Sequence, residues 1–239
     1  MSHFLAVFSA LLLTFSSLQA TLAAEERPNI IFFFIDDLGW SDLGCYGSKY
    51  HLTPNIDKLA ARGVRFTQAY SASPVCSPTR SAIMTGKNPA RLGITDWIGA
   101  SQKFNVLVTP KNVEALPQNE VTFAESLKRS GYATAYFGKW HLGADDQDHP
   151  SLHGFDYHRG VNRAGSPGSY YYPFKRNKGK PKSVLSPSDV PDFDLVNKDS
   201  YLTDLLAEEA SKYIEKKKDV PFLLMLAHYS VHTPIQARK

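Results

Sequence analysis

The chain has 239 residues, 43% of them hydrophobic and 21% charged, enough to bury one sizeable core, which excludes a disordered or fibrous protein. A formal net charge of +4 is small and dispersed and gives no ground for a nucleic-acid partner. No internal repeat or low-complexity tract is evident.

Phe4 to Ala24 carries no charged side chain and closes on the small residues Ala20, Ala23 and Ala24, with Glu25-Glu26-Arg27-Pro28 following. This reads as a secretory signal peptide over residues 1–24, cleaved near Ala23 or Ala24, so residues 25–239 are expected as one secreted or periplasmic domain. An uncleaved anchor is the alternative, since the run approaches spanning length. No later segment is apolar enough to span, so no stable membrane span is expected after cleavage. The mature chain keeps Cys45 and Cys76. Export makes a disulfide the default reading. The preferred reading leaves Cys45 a lone packed thiol and gives Cys76 a chemical role, because of the setting described next.

Asn29 to Ile35 is a continuous apolar, β-branched and aromatic run, the pattern of a strand buried on both faces. It empties into Asp36-Asp37-Leu38-Gly39-Trp40. Adjacent carboxylates there are costly unless neutralised, and all-oxygen ligands favour Ca²⁺ or Mg²⁺. The blander reading is one Asp capping the turn and the other solvated. Thr53 is expected to cap a helix beginning at Pro54, with Ile56, Leu59 and Ala60 as a buried stripe ending at Gly63. The alternating run Val64 to Tyr70 reads as a second strand. It leads into Ser73-Pro74-Val75-Cys76-Ser77-Pro78-Thr79-Arg80, where a helix starts that stops at Gly86. Cys76 then sits at a helix N-terminus, which favours anions, with Arg80 one turn on.

Arg91 to Gln118 reads mostly as loop. Thr122-x-x-Glu125 is a capping box opening a helix that ends at Gly131. The strand Ala133 to Phe137 empties into Gly138-Lys139-Trp140-His141-Leu142-Gly143, placing Lys139 and His141 at another strand outlet. Asp145 to Asp199 reads as long connections, including the basic tract Lys175 to Lys182, which is either a solvated loop or an attractor of a polyanionic substrate. Asp199 to Lys218 is an amphipathic helix with Leu202, Leu205, Leu206, Ala210, Tyr213 and Ile214 on one face. Val220 to Ala227 is a last buried strand, followed by His228, expected to be packed, and by His232.

Four strands thus release Asp36/Asp37, Cys76 with Arg80, Lys139 with His141, and His232 at their C-terminal ends. In an open parallel α/β sheet such ends converge on one edge, where ligands bind. The site would be cationic around two carboxylates, suited to a tetrahedral oxyanion ester.

Cys76-x-Pro78-x-Arg80 with Thr85-Gly86, and the run from Gly131-Tyr132-x-Thr134 through Gly138-Lys-Trp-His-Leu-Gly143, resemble the two signatures of the type I sulfatases. The resemblance spans Arg27 to Lys239. It implies an alkaline-phosphatase-like sandwich, an α/β fold with a mostly parallel central sheet flanked by helices. It also implies conversion of Cys76 to formylglycine by a formylglycine-generating enzyme, a Ca²⁺ (Mg²⁺ as alternative) held by Asp36, Asp37 and residue 76, and hydrolysis of a sulfated carbohydrate or aryl sulfate. Arg80 would hold the modified side chain, His141 would assist beside it, Lys139 would bind sulfate, and His232 would bind sulfate and protonate the leaving alcohol. Thr79 and Ser41 stand where the family commonly has Ser and Gly. The family continues to an Asp-Asn pair, a further Lys and a small subdomain beyond Lys239, so the fold is expected to be truncated at its C-terminus. A phosphonate or phosphodiester hydrolase of the same superfamily, and a non-catalytic binder of sulfated glycans, are the alternatives.

Overall fold

A computed structural model describes residues 27–100, 110–143, 148–176 and 186–238. The expected signal peptide and most of the basic tract lie outside them. Four strands, β1 (Ile30–Ile35), β2 (Ala133–Gly138), β3 (Tyr157–Arg159) and β4 (Phe222–His228), form one sheet in the order β1-β4-β2-β3. Every pairing is parallel. The helices are α1 (Pro54–Ala60), α2 (Cys76–Thr85), the single turn α3 (Pro89–Leu92), α4 (Phe123–Arg129) and α5 (Leu202–Lys217).

The period-2 alternation of strand side chains divides the core in two. Ala135, Phe137, Phe222, Leu224 and Leu226 face one side, where Leu202, Leu206, Ala210 and Tyr213 of α5 cover them. Tyr136, Leu223, Met225 and Ala227 face the other, against Met84 of α2, Ala124 of α4, Trp140 and Phe155. Central strands covered on both faces read as unbroken apolar runs, and β4 is buried at every position. The amphipathic stripe of α5 matches expectation at four positions, while Leu205 and Ile214 are only partly buried.

Local signals account for the helix ends. Thr122 and Glu125 make a reciprocal capping box at α4, and Gly86 ends α2 at φ 68°, a conformation that suits a residue without Cβ. The reading of α1 needs correction. It starts at Pro54 as expected, but it ends at Ala60 instead of running to Gly63, and none of its residues is buried. Thr53 makes no cap bond; its hydroxyl accepts from Gly44 N–H and donates to Asp57, whose carboxylate also receives Cys45 N–H. The helix is thus pinned by polar contacts to the Gly44–Tyr46 turn. Both cysteines are free thiols, so the disulfide reading is overturned.

The expected second strand, Val64 to Tyr70, is not a strand. Val64, Phe66 and Tyr70 are exposed. The segment is held beside the same turn, by the Tyr46 hydroxyl donating to the Phe66 carbonyl and by Arg65 donating to the Cys45 carbonyl. Alternation supplies a two-faced segment, but a strand also needs a neighbour with open ladder groups. In its place β3 joins the sheet, three residues from a region read as connection only.

Candidate active site

The C-terminal ends of β1, β2 and β4 and the N-terminus of α2 meet at one edge of the sheet. Asp36 follows β1 directly. Its carboxylate is buried and takes both a charge-assisted hydrogen bond from Arg80 at 3.1 Å and one from the Lys139 ammonium. Lys139, fully buried, follows β2 and also reaches Cys76 Sγ at 3.4 Å. The protein's own cations therefore supply the neutralisation that the buried carboxylate demands. Burial alone would raise the Asp36 pKa; Arg80 and Lys139 outweigh it and hold it below the usual carboxylate range. Burial and the nearby Arg80 charge push the Lys139 pKa down against the attraction of Asp36. We assign the pair as ionised, because both carboxylate oxygens receive N–H donors.

Arg80 is 2% exposed and committed inward. It donates to the Lys139 carbonyl and to the Tyr136 hydroxyl, and it stacks 4.7 Å over the Phe34 ring. Asp37 differs from its neighbour. It is exposed, sits at φ 59°, and its carboxylate lies 3.8 Å from His232 Nε2. His228 is packed as expected, against Phe33, and burial lowers its pKa to about 4.

Cys76 is the first residue of α2 and half-buried. Burial raises its pKa, but the His141 and His232 rings beside it and the Lys139 charge bring it down to about 6. The His232 pKa is raised, chiefly by Cys76 and, against its burial, by the Thr233 carbonyl. The Tyr170 hydroxyl donates to the His232 carbonyl at 2.9 Å, fixing the loop after β4.

His141 is buried at φ 53°. Its Nε2 lies 3.1 Å from the Ile98 carbonyl, which can only accept, so Nε2 carries the proton and Nδ1 is left as the acceptor of the neutral ring. Ser77 ties this arrangement together. Its hydroxyl donates to the His141 carbonyl at 2.8 Å and accepts from Ile98 N–H at 3.0 Å. Gly165 lies against the same ring: a Cβ there would fall 2.4 Å from His141 Cε1.

These groups open into a cavity of about 650 Å³ lined by Asp37, Cys76, His141 and His232 together with Trp97, Arg163 and Arg176. Asp36, Arg80 and Lys139 lie beneath it rather than among its lining residues. All seven residues singled out from the sequence are thus in one neighbourhood. Ser77, Trp97, Arg163 and Gly165 were not singled out. Ser77 stood inside the Cys76 motif, while the other three carry no local signal.

For a divalent cation, Asp36, Cys76 and His232 each offer a donor atom, all within 4.8 Å of one another. His232 stands in this group where Asp37 was expected; Asp36 offers the oxygen that a hard cation takes, and the thiol does not. The surroundings of Cys76, an ammonium and two imidazoles, suit an oxygen-bearing side chain that hydrogen-bonds more strongly than sulfur.

The sulfatase family model matches residues 28–239. Human N-acetylgalactosamine-6-sulfatase is 34% identical across 90% of this chain and 42% of its own length. Human steryl-sulfatase is 33% identical across 95% of this chain and 49% of its own length. The solved structure of Ps i-CgsB superimposes with a TM-score of 0.70 at 35% identity, covering 90% of this chain and 47% of that one. A complex of the same protein with k-i-k-neocarrahexaose gives 0.68 over 89% and 47%. The chain spans about half the length of the curated relatives it matches, and its mostly parallel sheet with flanking helices is the corresponding part of an alkaline-phosphatase-like fold. With the match running over nearly all of its described residues, the chain belongs to the sulfatase family.

Proposed function

We propose that residues 25–239 form the N-terminal part of the catalytic domain of an exported sulfuric ester hydrolase, acting on a sulfated carbohydrate or an aryl sulfate. The observation that carries this reading is the Lys139 ammonium, buried between the Asp36 carboxylate and Cys76 Sγ, the latter lining an open cavity. It places positive charge where a sulfate oxygen would lie against residue 76.

Formylglycine at position 76, the product of a maturation enzyme, would supply an oxygen nucleophile in place of the thiol. Ca²⁺, or Mg²⁺, held by Asp36 and Asp37, would supply Lewis-acid stabilisation of charge on oxygen. The chain's own residues do the rest. Arg80 keeps Asp36 ionised and oriented. Lys139 attracts the sulfate group and offsets charge developing on its oxygens. His141 accepts a proton at Nδ1, the nitrogen left open by the Nε2 contact to Ile98. His232, with its raised pKa and partial exposure, donates the proton to the leaving alcohol. Saccharides are bound in two of the similar solved structures, k-i-k-neocarrahexaose in one and the sulfated D-glucosamine-2-N,6-O-disulfate in the other. These support a carbohydrate ester as substrate.

Intact mass spectrometry of the peptide holding Cys76 tests the reading, through loss of sulfur and gain of an aldehyde. Cys76→Ala is expected to abolish sulfate release and leave the melting temperature unchanged. Sulfate release retained in the purified variant would remove residue 76 as nucleophile.

A further inference from the structure

His232 stands on a stretch with no regular structure of its own. Strand β4 ends at His228, and residues 229–238 form neither helix nor strand. Among the described residues of this stretch, His232 is the one that lines the cavity over Cys76. Its start is tied locally: Val231 N–H donates to the Asp36 carbonyl at 2.7 Å, and His232 N–H to the Tyr229 carbonyl at 3.1 Å. The ring has a fixed sense too. Its Nδ1 lies 2.9 Å from the Thr233 carbonyl, which can only accept, so Nδ1 carries the proton. Nε2 is left open towards the cavity side, 3.8 Å from the Asp37 carboxylate.

The rest of the stretch is held by a segment distant in sequence, Ser169–Tyr172, and by Tyr201. The Tyr170 hydroxyl donates to the His232 carbonyl at 2.9 Å. Further on, the Gln236 side-chain oxygen accepts from Tyr170 N–H at 2.7 Å and from the Ser169 hydroxyl at 3.3 Å. The Gln236 carbonyl accepts from the Tyr201 hydroxyl at 2.8 Å, and the Ala237 carbonyl from the Tyr171 hydroxyl. Tyr170 thus grips the stretch twice, by its side chain at His232 and by its backbone at Gln236.

The brace is itself anchored. Tyr170 is buried, its ring stacks on that of Tyr201 at 5.8 Å, and its carbonyl accepts from Leu202 N–H at 2.8 Å, at the first turn of α5. A buried tyrosine hydroxyl needs some acceptor, and any nearby carbonyl would satisfy it. What distinguishes this one is its target: both grips of Tyr170 fall on the loop that carries the proposed proton donor.

We infer that Tyr170 and Gln236 are positioning residues for His232, holding its imidazole so that Nε2 delivers a proton to the oxygen of the departing alcohol. In that step the nucleophile at residue 76 bonds to sulfur and the sulfur–oxygen ester bond breaks. The electron pair stays on the alcohol oxygen, which takes the Nε2 proton, while Nδ1–H stays on the Thr233 carbonyl. A proton donor misplaced by about 1 Å loses much of its effect. The inference rests on the sulfate-ester reading above.

The test joins turnover by the full chain of a series of aryl sulfates, with leaving groups from 4-nitrophenol to phenol, to proton–nitrogen NMR of its histidines. 4-Nitrophenolate is a stable anion and leaves without a proton, whereas phenolate gains from one. Tyr170→Phe keeps the ring and its packing. It should lower kcat for phenyl sulfate about tenfold and for 4-nitrophenyl sulfate about twofold, with little change in KM. Gln236→Leu should steepen the same leaving-group dependence, and Gln236→Glu, which keeps an acceptor for Tyr170 N–H, should restore it. A merely structural role would slow every ester by the same factor. In the NMR arm, the His232 signals are identified by their loss in His232→Gln. They should show the Nδ1–H tautomer alone in the parent chain and a mixture of tautomers in Tyr170→Phe and Gln236→Leu. Equal slowing of all esters, or an unchanged His232 pattern in both variants, overturns the inference. Absence of turnover in the parent chain counts against the sulfate-ester reading and leaves the NMR arm to decide the inference. His232→Gln separates the two further: if it hydrolyses phenyl and 4-nitrophenyl sulfate in the parental ratio, His232 is not the proton donor and that part of the reading fails. A tautomer mixture in the brace variants would still show that Tyr170 and Gln236 hold the ring.

Discussion

Strands β1 and β4 lie side by side, pair in parallel, and both feed the site, yet the same kind of sequence meets different surroundings in each. Ile30–Ile35 and Phe222–His228 are both unbroken apolar runs. In β4 every side chain is buried, because strands flank it on both edges and α5 covers one face. In β1 only one face is packed: Phe32 and Phe34 contact the core shared with α2 and α4, whereas Ile31 and Phe33 are each 53% exposed. On this second face α5 packs chiefly on β4 and β2. Hydrophobic content thus marks a strand as belonging to the sheet without stating its place there or how many of its faces are covered.

The sharpest way to break the comparison is to remove volume from β4. Leu224→Ala is expected to cost about 2–5 kcal/mol, since Leu224 is fully buried between β1, β2 and α5. Chemical denaturation would show it as a lowered midpoint, and a change under 1 kcal/mol would mean the core relaxes freely. The next effect is on pH. The folded pKa of His228, about 4, lies below the ordinary 6.5, so the unfolded chain takes up the proton first. The neutral imidazole's contribution is complete above pH 6.5 and is lost as the pH falls towards 4, amounting to roughly 3 kcal/mol. Stability measured across that window should fall less steeply in His228→Leu, and an unchanged slope would show that His228 is not the group responsible. The smallest effect is expected from Phe33→Ala, about 1 kcal/mol or less, because half of that ring already meets solvent. A loss as large as that of Leu224→Ala would show that something covers this face in solution.

Much of the site was legible because strand outlets and helix starts leave local marks. The apolar runs before Asp36 and Lys139 ended where carboxylate and ammonium now touch, and the Thr122–Glu125 box placed the start of α4 to the residue. Other features depended on partners that a local pattern does not name. Val64 to Tyr70 alternates as a strand would, but its backbone found the Cys45 turn instead of a ladder. Strand β3 is too short to show a period. The inward commitment of Arg80 was hidden for a related reason: a guanidinium one turn into a helix serves a substrate or a neighbouring carboxylate equally well, and only the fold puts Asp36 within its reach. Trp97 and Arg163 come from loops whose positions follow from Asn112 and Asn162, two buried amides with no signature of their own.

The Ser77 hydroxyl joins three stretches of chain that are distant in sequence: the first turn of α2, the outlet of β2 and the loop bearing Trp97. Its neighbour is the residue on which chemistry would occur. Any modifying enzyme that must draw residue 76 out into its own cleft would have to unfasten this clasp as well. The modification proposed at position 76 would therefore suit a nascent or loosened chain, before the clasp closes, and the finished fold would resist it.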